Sequence, residues 1–474
     1  MTKIWKKERF DKIPSIDEAQ ADQKLKNLLK DFHRKIVVLD DDPTGVQTVH
    51  DISVYTDWSE DSIAAGFAEE NSMFFILTNS RAFTAEYTQQ VHQTIAERVA
   101  AEAKKCGKDF MIISRSDSTL RGHYPLETIT LRDTLEKAGS PVIDGEVLMP
   151  FFKEGGRFTI DNVHYVQEDD DLVPAAETEF AKDKTFGYTS SEMGGYIEEK
   201  THGAYKAADT TYISLEDLRS CSVEKIADQL CAVNGFNKVI VNAVDYVDVK
   251  VFSIALLQAM AKGKTFMFRT AAAFTKVIGG VPDQPLLQKA DLIDAGNKNG
   301  GLIIIGSHVK KTTQQLEELK KSSDVKFIAF NHLLVLEPEK LETELARIIA
   351  ETEDAIRQGQ TVAVFTGRKR LDVGSEEESL KVSVKISEAI TSIVRRLRVK
   401  PAFLIAKGGI TSSDVGTKGL GVKKALVLGQ AAPGIPVWKT GKESKFPDMA
   451  YVIFPGNVGG IDTLRKVVDM LNDR

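Results

Sequence analysis

Cysteine is scarce, with Cys106, Cys221 and Cys231 the only three in 474 residues. They are widely spaced and form no C-x-x-C pair, which excludes a disulfide framework or a cysteine zinc site and suits reduced thiols in a cytosol. No apolar run approaches the roughly 18 residues that a membrane span requires, and the N-terminal MTKIWKKERF lacks the apolar core of an export signal, so a cytoplasmic protein without a membrane partner is expected. An excess of one charge is missing too. The 62 Lys+Arg and 68 Asp+Glu residues leave a net charge of −6 with no basic stripe, which speaks against nucleic acid as a partner. The run G-x-x-x-x-G-K-[ST] does not occur, and the nearest imitation of G-x-G-x-x-G, Gly416 to Gly421, has the wrong spacing. Neither a P-loop NTPase nor a dinucleotide-binding Rossmann domain is thereby supported. What survives is a small-molecule protein, too long for one typical core.

What the chain does contain is a series of short apolar, β-branched runs, each ending at a polar or glycine-bearing turn. IVVLD, ISVYTD, MFFILTN, DFMIISRSD, KVIVNAV and TFMFRTA populate the first half. LIIIGS, VKFIAFN, TVAVFTG, AFLIAKGG, KALVLGQAA and MAYVIFPGN populate the second. Helical stretches separate most of them, and strand, helix, strand in succession implies parallel crossovers. One such helix follows FFILTN, with Val91, Ile95 and Val99 at helical spacing, Thr84 to cap its start and Gly107 to end it. His92, in the middle of that helix, is expected to face solvent. The fold class read from this pattern is α/β, with two α/β domains of mainly parallel sheets. A leader helix occupies 1–34, a first domain spans 35–290, and a second spans 300–474. The turn-rich stretch 151–203 reads as an insertion, either a lid or a cover for a sheet edge, from which Arg157, Asp161 and His164 are within reach of a ligand.

The chemistry sits where the runs end, because ligands of open α/β sheets bind outside the carboxyl ends of the strands. In the first half those ends carry charge: Asp40, Asp41 and Asp42, then Asn79 and Arg81, then Arg115, Asp117, Ser118, Thr119 and Arg121. Guanidinium groups bind a carboxylate bidentately, and Asp, Asn and Ser bond sugar hydroxyls, so this set describes a polyhydroxy-acid pocket. In the second half the ends carry glycine: Gly306 with Ser307, Gly367, Gly408 with Gly409, and Gly456 with Gly459 and Gly460. Glycine lets backbone N–H groups approach phosphate closely.

These segments resemble the four-carbon acid sugar kinases. DDPTG (Asp41 to Gly45) and DSTLRG (Asp117 to Gly122) look like the N-terminal motifs of that family. GSHVKKTTQQ from Gly306, GGIT from Gly408 and PGN from Pro455 look like its nucleotide-binding segments. The resemblance implies an N-terminal domain for the acid sugar and a C-terminal domain for ATP, with the active site in the interdomain cleft and Mg²⁺ carried on the ATP phosphates. Ser307, Gly408, Gly409, Ile410, Thr411, Gly456 and Asn457 would line the nucleotide. Ile410 departs from the acidic residue often found there. The expected reaction phosphorylates a hydroxyl of a short acid sugar such as a tetronate or 3-oxo-tetronate. Asp42 is the expected base, Asp41 organises its surroundings, and Asp117 is a rival for the role. Asn79, Arg81, Arg115, Ser118, Thr119 and Arg121 are the expected substrate contacts. Two other readings stay open: a haloacid-dehalogenase-type phosphatase with Asp40 as nucleophile and Asp245 and Asp248 as its later acidic motif, and a non-catalytic sugar-acid sensor. A homodimer is compatible with all three.

Overall fold

In the computed structural model, which describes residues 4–307, 309–367, 376–456 and 458–472, the chain divides into two compact units. The first comprises Met1–Thr48 with Asp57–Asp283, the second Val49–Thr56 with Gln284–Arg474. The run ISVYTD, read as a strand of the first half, therefore belongs to the second unit, where Ile52–Tyr55 pairs antiparallel with Lys424–Val427. Nothing local in those few residues specifies a partner hundreds of positions away.

The first unit is built on a parallel sheet in the order Thr211–Ile213, Asn237–Val241, Gly145–Met149, Phe266–Thr270, Phe110–Arg115, Lys35–Asp40, Met73–Leu77. Helices such as Ala85–Cys106 and Tyr246–Ala261 accompany these strands. Continuous apolar runs are what a parallel sheet covered on both faces demands. Val37, Val38, Phe74, Phe75, Ile113, Val147 and Phe268 are accordingly fully buried, at about 1.5–3 kcal/mol of burial free energy for each large side chain. Thr84 accepts the Tyr87 N–H at the start of Ala85–Cys106, and Gly107 closes it in the left-handed region at φ 65°. His92 corrects the sequence expectation. It is 1% exposed and its Nδ1 donates to the Thr88 carbonyl, because the helix turns it toward Glu127 rather than outward.

The stretch 151–203 is also more ordered than its turn-rich sequence suggests. Arg157–Ile160, Val163–Glu168 and Asp171–Pro174 form an antiparallel sheet, to which Ile4–Trp5 of the leader adds a further strand. Short hairpin strands with polar turns lack a sustained period, which is why they escape recognition. A cluster of Leu120, Tyr124, Leu148, Val166, Tyr188 and Tyr196 packs this insertion onto the main sheet. The leader's helix Glu18–Lys30 buries Ala21 and Leu25.

In the second unit, Phe403–Lys407, Leu302–Ile305, Thr361–Thr366 and Val325–Phe330 run parallel beside Ala450–Phe454. An antiparallel portion continues from Ala450–Phe454 through Ile435–Thr440 and Lys424–Ala432 to Ile52–Tyr55. Both units are thus α/β with largely parallel sheets. Among the described residues no helix is long and apolar enough to cross a membrane.

Candidate active site

The charged loops of the first unit are brought together by strand register. Asp40 lies level with Leu77 on one side and Arg115 on the other, and Arg115 is level with Thr270. After Asp40 the chain turns at once. Gly45 packs so closely on the Asp40 carboxylate that a Cβ there would collide with it. Asp42 accepts the N–H of Thr44 at 2.7 Å, holding the turn.

Arg115 projects among the three aspartates, its Nη1 at 3.2 Å from Asp40, 3.4 Å from Asp41 and 3.6 Å from Asp42. Arg81 comes from the helical turn Ser80–Ala82, which begins at Asn79 in the left-handed conformation (φ 58°). Its guanidinium lies 3.1 Å from Asp41, 3.6 Å from Asp117 and in direct contact with Asp42. Arg121 completes the arrangement with its Nε 2.6 Å from Asp117. Asp41, Asp42, Asp117, Arg81, Arg115 and Arg121 therefore form one network. Thr119 is fully buried and its hydroxyl bonds Asp117, whereas Ser118 lies at 8% exposure and offers its carbonyl inward. Arg115 is 3% exposed, which makes it a neutralising group beneath the aspartates rather than one facing a ligand.

Burial decides the acidity of these groups. It pushes Asp40 up to about 7 against the opposing pull of Arg115, and it raises Asp41 against Arg81 and Arg115. Asp117 is buried as well, but Arg121 and Arg81 outweigh that and hold it well below the usual carboxylate range. Asp42 has the most accessible carboxylate of its triplet, at 18% side-chain exposure against 2% for Asp40 and Asp41. Carboxylate oxygens of Asp40, Asp41 and Asp42 all lie within 4.8 Å of one another, a spacing that suits a divalent ion. Arg81 and Arg115 already pair with that set, so a cation held by these residues does not fit without displacing an arginine.

Deeper in the sheet, Arg269 pairs with Glu127, which also accepts the Ser80 hydroxyl at 2.6 Å. This buried pair sits under the turn that delivers Arg81. Asp245 and Asp248, candidates for an acidic motif, serve instead as a capping box on Tyr246–Ala261, and Asp248 also binds Arg219 at 2.5 Å.

The insertion holds the Asp117–Gly122 segment by its backbone. His164 Nε2 lies 2.7 Å from the Ser118 carbonyl, the Tyr188 hydroxyl donates to Thr119 at 2.8 Å, and the Tyr196 hydroxyl donates to Leu120 at 2.9 Å. Three consecutive carbonyls are thus satisfied by three side chains, in a loop where Leu120 takes φ 68°. Sequence reasoning missed both tyrosines, since the pairing exists only once the insertion folds back. The double variant Tyr188→Phe/Tyr196→Phe should lose about 1–3 kcal/mol per orphaned carbonyl and show faster hydrogen exchange across 118–121. Unchanged protection there would mean the clamp adds nothing.

In the second unit, the carboxyl ends of Leu302–Ile305, Phe403–Lys407 and Ala450–Phe454 gather the glycine-bearing loops. Ser307 and Gly408 touch closely enough that a Cβ on Gly408, already at φ 117°, would press on Ser307, while one on Gly306 would press on Thr411. Gly409 begins a short helix, Gly409–Asp414, on which Ile410 is 69% exposed and Thr411 is buried. Gly456 lies beside them, bonded through its carbonyl to Thr312 and Lys407. Asn457 lies outside the described residues. Lys407 itself was not anticipated. It is fully buried, its ammonium bonds the carbonyls of Pro455 and Gly456, and burial with Lys311 nearby pushes it down to about 7. The only sequence signal was a lysine closing the apolar run FLIAK. Bare glycine loops at these strand ends fit a polyphosphate chain.

Comparison with known proteins agrees with this division. Residues 36–278 match a family model described as a sugar-binding N-terminal domain, and residues 302–464 match a nucleotide-binding C-terminal domain. No curated protein sequence matches the chain. Among solved structures, a Salmonella typhimurium LT2 protein provisionally named a tRNA synthase is 15% identical with a TM-score of 0.66, covering 91% of this chain and 98% of its own. A Haemophilus influenzae protein of the DUF1537 family is 16% identical with a TM-score of 0.60, covering 92% of this chain and 100% of its own. At such identities the likeness speaks to fold alone. With more than half of its length matched by these paired models, the chain belongs to the four-carbon acid sugar kinase family, joining a sugar-binding to a nucleotide-binding domain.

Proposed function

We propose that the protein is an ATP-dependent kinase that phosphorylates a hydroxyl of a short acid sugar, of the tetronate or 3-oxo-tetronate class. The observation that carries this reading is the aspartate and arginine network at the strand ends of a domain matched as sugar-binding, in a chain whose other domain is matched as nucleotide-binding. Phosphoryl transfer asks chiefly for positioning and charge neutralisation. In this reading the arginines and hydroxyl-bonding groups fix the acceptor, Asp42 takes or orients the hydroxyl proton, and the glycine loops around Ser307, Gly408 and Gly456 hold the ATP phosphates. ATP would carry its own Mg²⁺, which would supply neutralisation of the phosphate charge.

The rival phosphatase reading fares worse on geometry. Asp40, its nucleophile, is 1% exposed and sealed beneath Gly45, out of reach of a phosphoester. Incubation with ATP, Mg²⁺ and a panel of four- and five-carbon acids should give ADP only when a suitable acid is present. Phosphate release from phosphoesters without ATP would instead establish the phosphatase, and thermal stabilisation by an acid with no ADP formed would establish a sensor.

A further inference from the structure

Most cations near the sugar-binding loops are already spoken for. Arg81 and Arg115 are shared among Asp40, Asp41 and Asp42, and Arg269 is paired with Glu127. Arg157 differs. It opens the insertion strand Arg157–Ile160, is 8% exposed, and has no acidic partner among the described residues. Its buried Nε has no hydrogen-bond partner, as is true of Arg81 and Arg115, but those two are held in ion pairs with the aspartates and Arg157 is not. Its guanidinium lies 5.6 Å from the Phe180 ring, and that of Arg121 lies 5.1 Å from the same ring. Arg121 belongs to the Asp117 network and lies 3.9 Å from Asp183 of the insertion.

A buried guanidinium with no ion pair of its own, and only Asp117, already bound to Arg121, as a more distant anion, is unfavourable. Burial lowers the pKa of Arg157 to about 10, with Asp117 opposing that shift and Arg121 adding to it, so the group remains a cation at neutral pH. A fork of N–H donors that lacks an internal acceptor matches an incoming carboxylate in both charge and shape.

We infer that Arg157, with Arg121 beside it across the shared Phe180 ring, is the docking point for the carboxylate of the acid substrate. The inference rests on the sugar-acid reading above and deepens it. It gives the insertion a role in specificity, selecting polyhydroxy monocarboxylates over neutral polyols of the same length.

Calorimetric titration without nucleotide tests it. The probes are four- and five-carbon aldonic acids and their primary amides, titrated into the full-length wild type, Arg157→Met and Arg157→Gln. The wild type should bind at least one acid about thirtyfold or more tightly than its amide, and both variants should lose that preference while keeping the amide's affinity. Arg157→Met should melt no lower than wild type, because it removes an uncompensated charge, whereas a structural arginine would leave a destabilised protein. Acid affinity unchanged in either folded variant overturns the inference, and so does a wild type that binds no acid better than its amide. Failure of both variants to fold would assign Arg157 a structural role and overturns it too. ADP formation is assayed separately. Acid-dependent turnover that ignores Arg157 leaves the kinase reading standing without this anchor, while acid binding that follows Arg157 without any ADP keeps the anchor and defeats the kinase.

Discussion

Asp42→Asn should reduce acid-dependent ADP formation by about 10²–10⁴ in kcat, the range removed with a general base, with little change in the affinity for the acid. The choice of Asp42 follows from what surrounds the other carboxylates. Asp40 is closed off by Gly45, and Asp41 is 2% exposed. Asp117 is held so strongly as an anion by Arg121 and Arg81 that it is a poor proton acceptor. Asp42 keeps 18% of its side chain accessible while its link to the Thr44 N–H fixes its direction. Asp117→Asn makes the contrast, since it should release Arg121 and Arg81 and raise KM more than it lowers kcat. A kcat for Asp42→Asn within about tenfold of wild type would remove Asp42 from the chemistry.

Arg269→Met should destabilise the first unit by about 3–5 kcal/mol, because it strands the Glu127 carboxylate in the core. Glu127 is 1% exposed. Although burial works to raise it, Arg269 and His92 hold its pKa down at about 2. A depressed carboxylate contributes stability that is fully present above its ordinary value of 4.5 and is lost as pH falls toward about 2. Wild type should therefore weaken over that window, and the gap to Arg269→Met should narrow on acidification as the stranded Glu127 takes up a proton. Arg269→Met/Glu127→Leu should recover most of the loss at neutral pH. The urea midpoint, read by hydrogen exchange over 110–130, measures all three. A single variant as stable as wild type at pH 7 would show that the pair is not coupled to the fold. Since Glu127 also holds Ser80 at 2.6 Å, the single variant should loosen the turn that delivers Arg81.

How far the sequence reaches can be judged residue by residue. The strands IVVLD, MFFIL and FMIIS were legible because a strand buried on both faces needs an unbroken apolar run, and Thr84 and Gly107 were legible because caps depend on neighbours a few positions away. His92 was misjudged because its surroundings, Thr88 and Glu127, come partly from another helix. Asp245 and Asp248 suggested acidic chemistry, yet both cap a helix and Asp248 binds Arg219. Composition cannot separate those roles, since the same carboxylate serves either.

Local pattern alone thus determined two α/β halves, the acidic and basic strand ends of one, and the glycine-tipped ends of the other, because each follows from contiguous residues. Tertiary structure decided which charges neutralise which. It buried Arg115 under its aspartates, left the Arg157 Nε without a hydrogen-bond partner among the described residues, fastened Ser118, Thr119 and Leu120 to His164, Tyr188 and Tyr196, and sent Ile52–Tyr55 to the second unit. Those outcomes depend on pairings between segments far apart in the chain, and the energy of a charge or a backbone carbonyl is set by the neighbours it meets after folding.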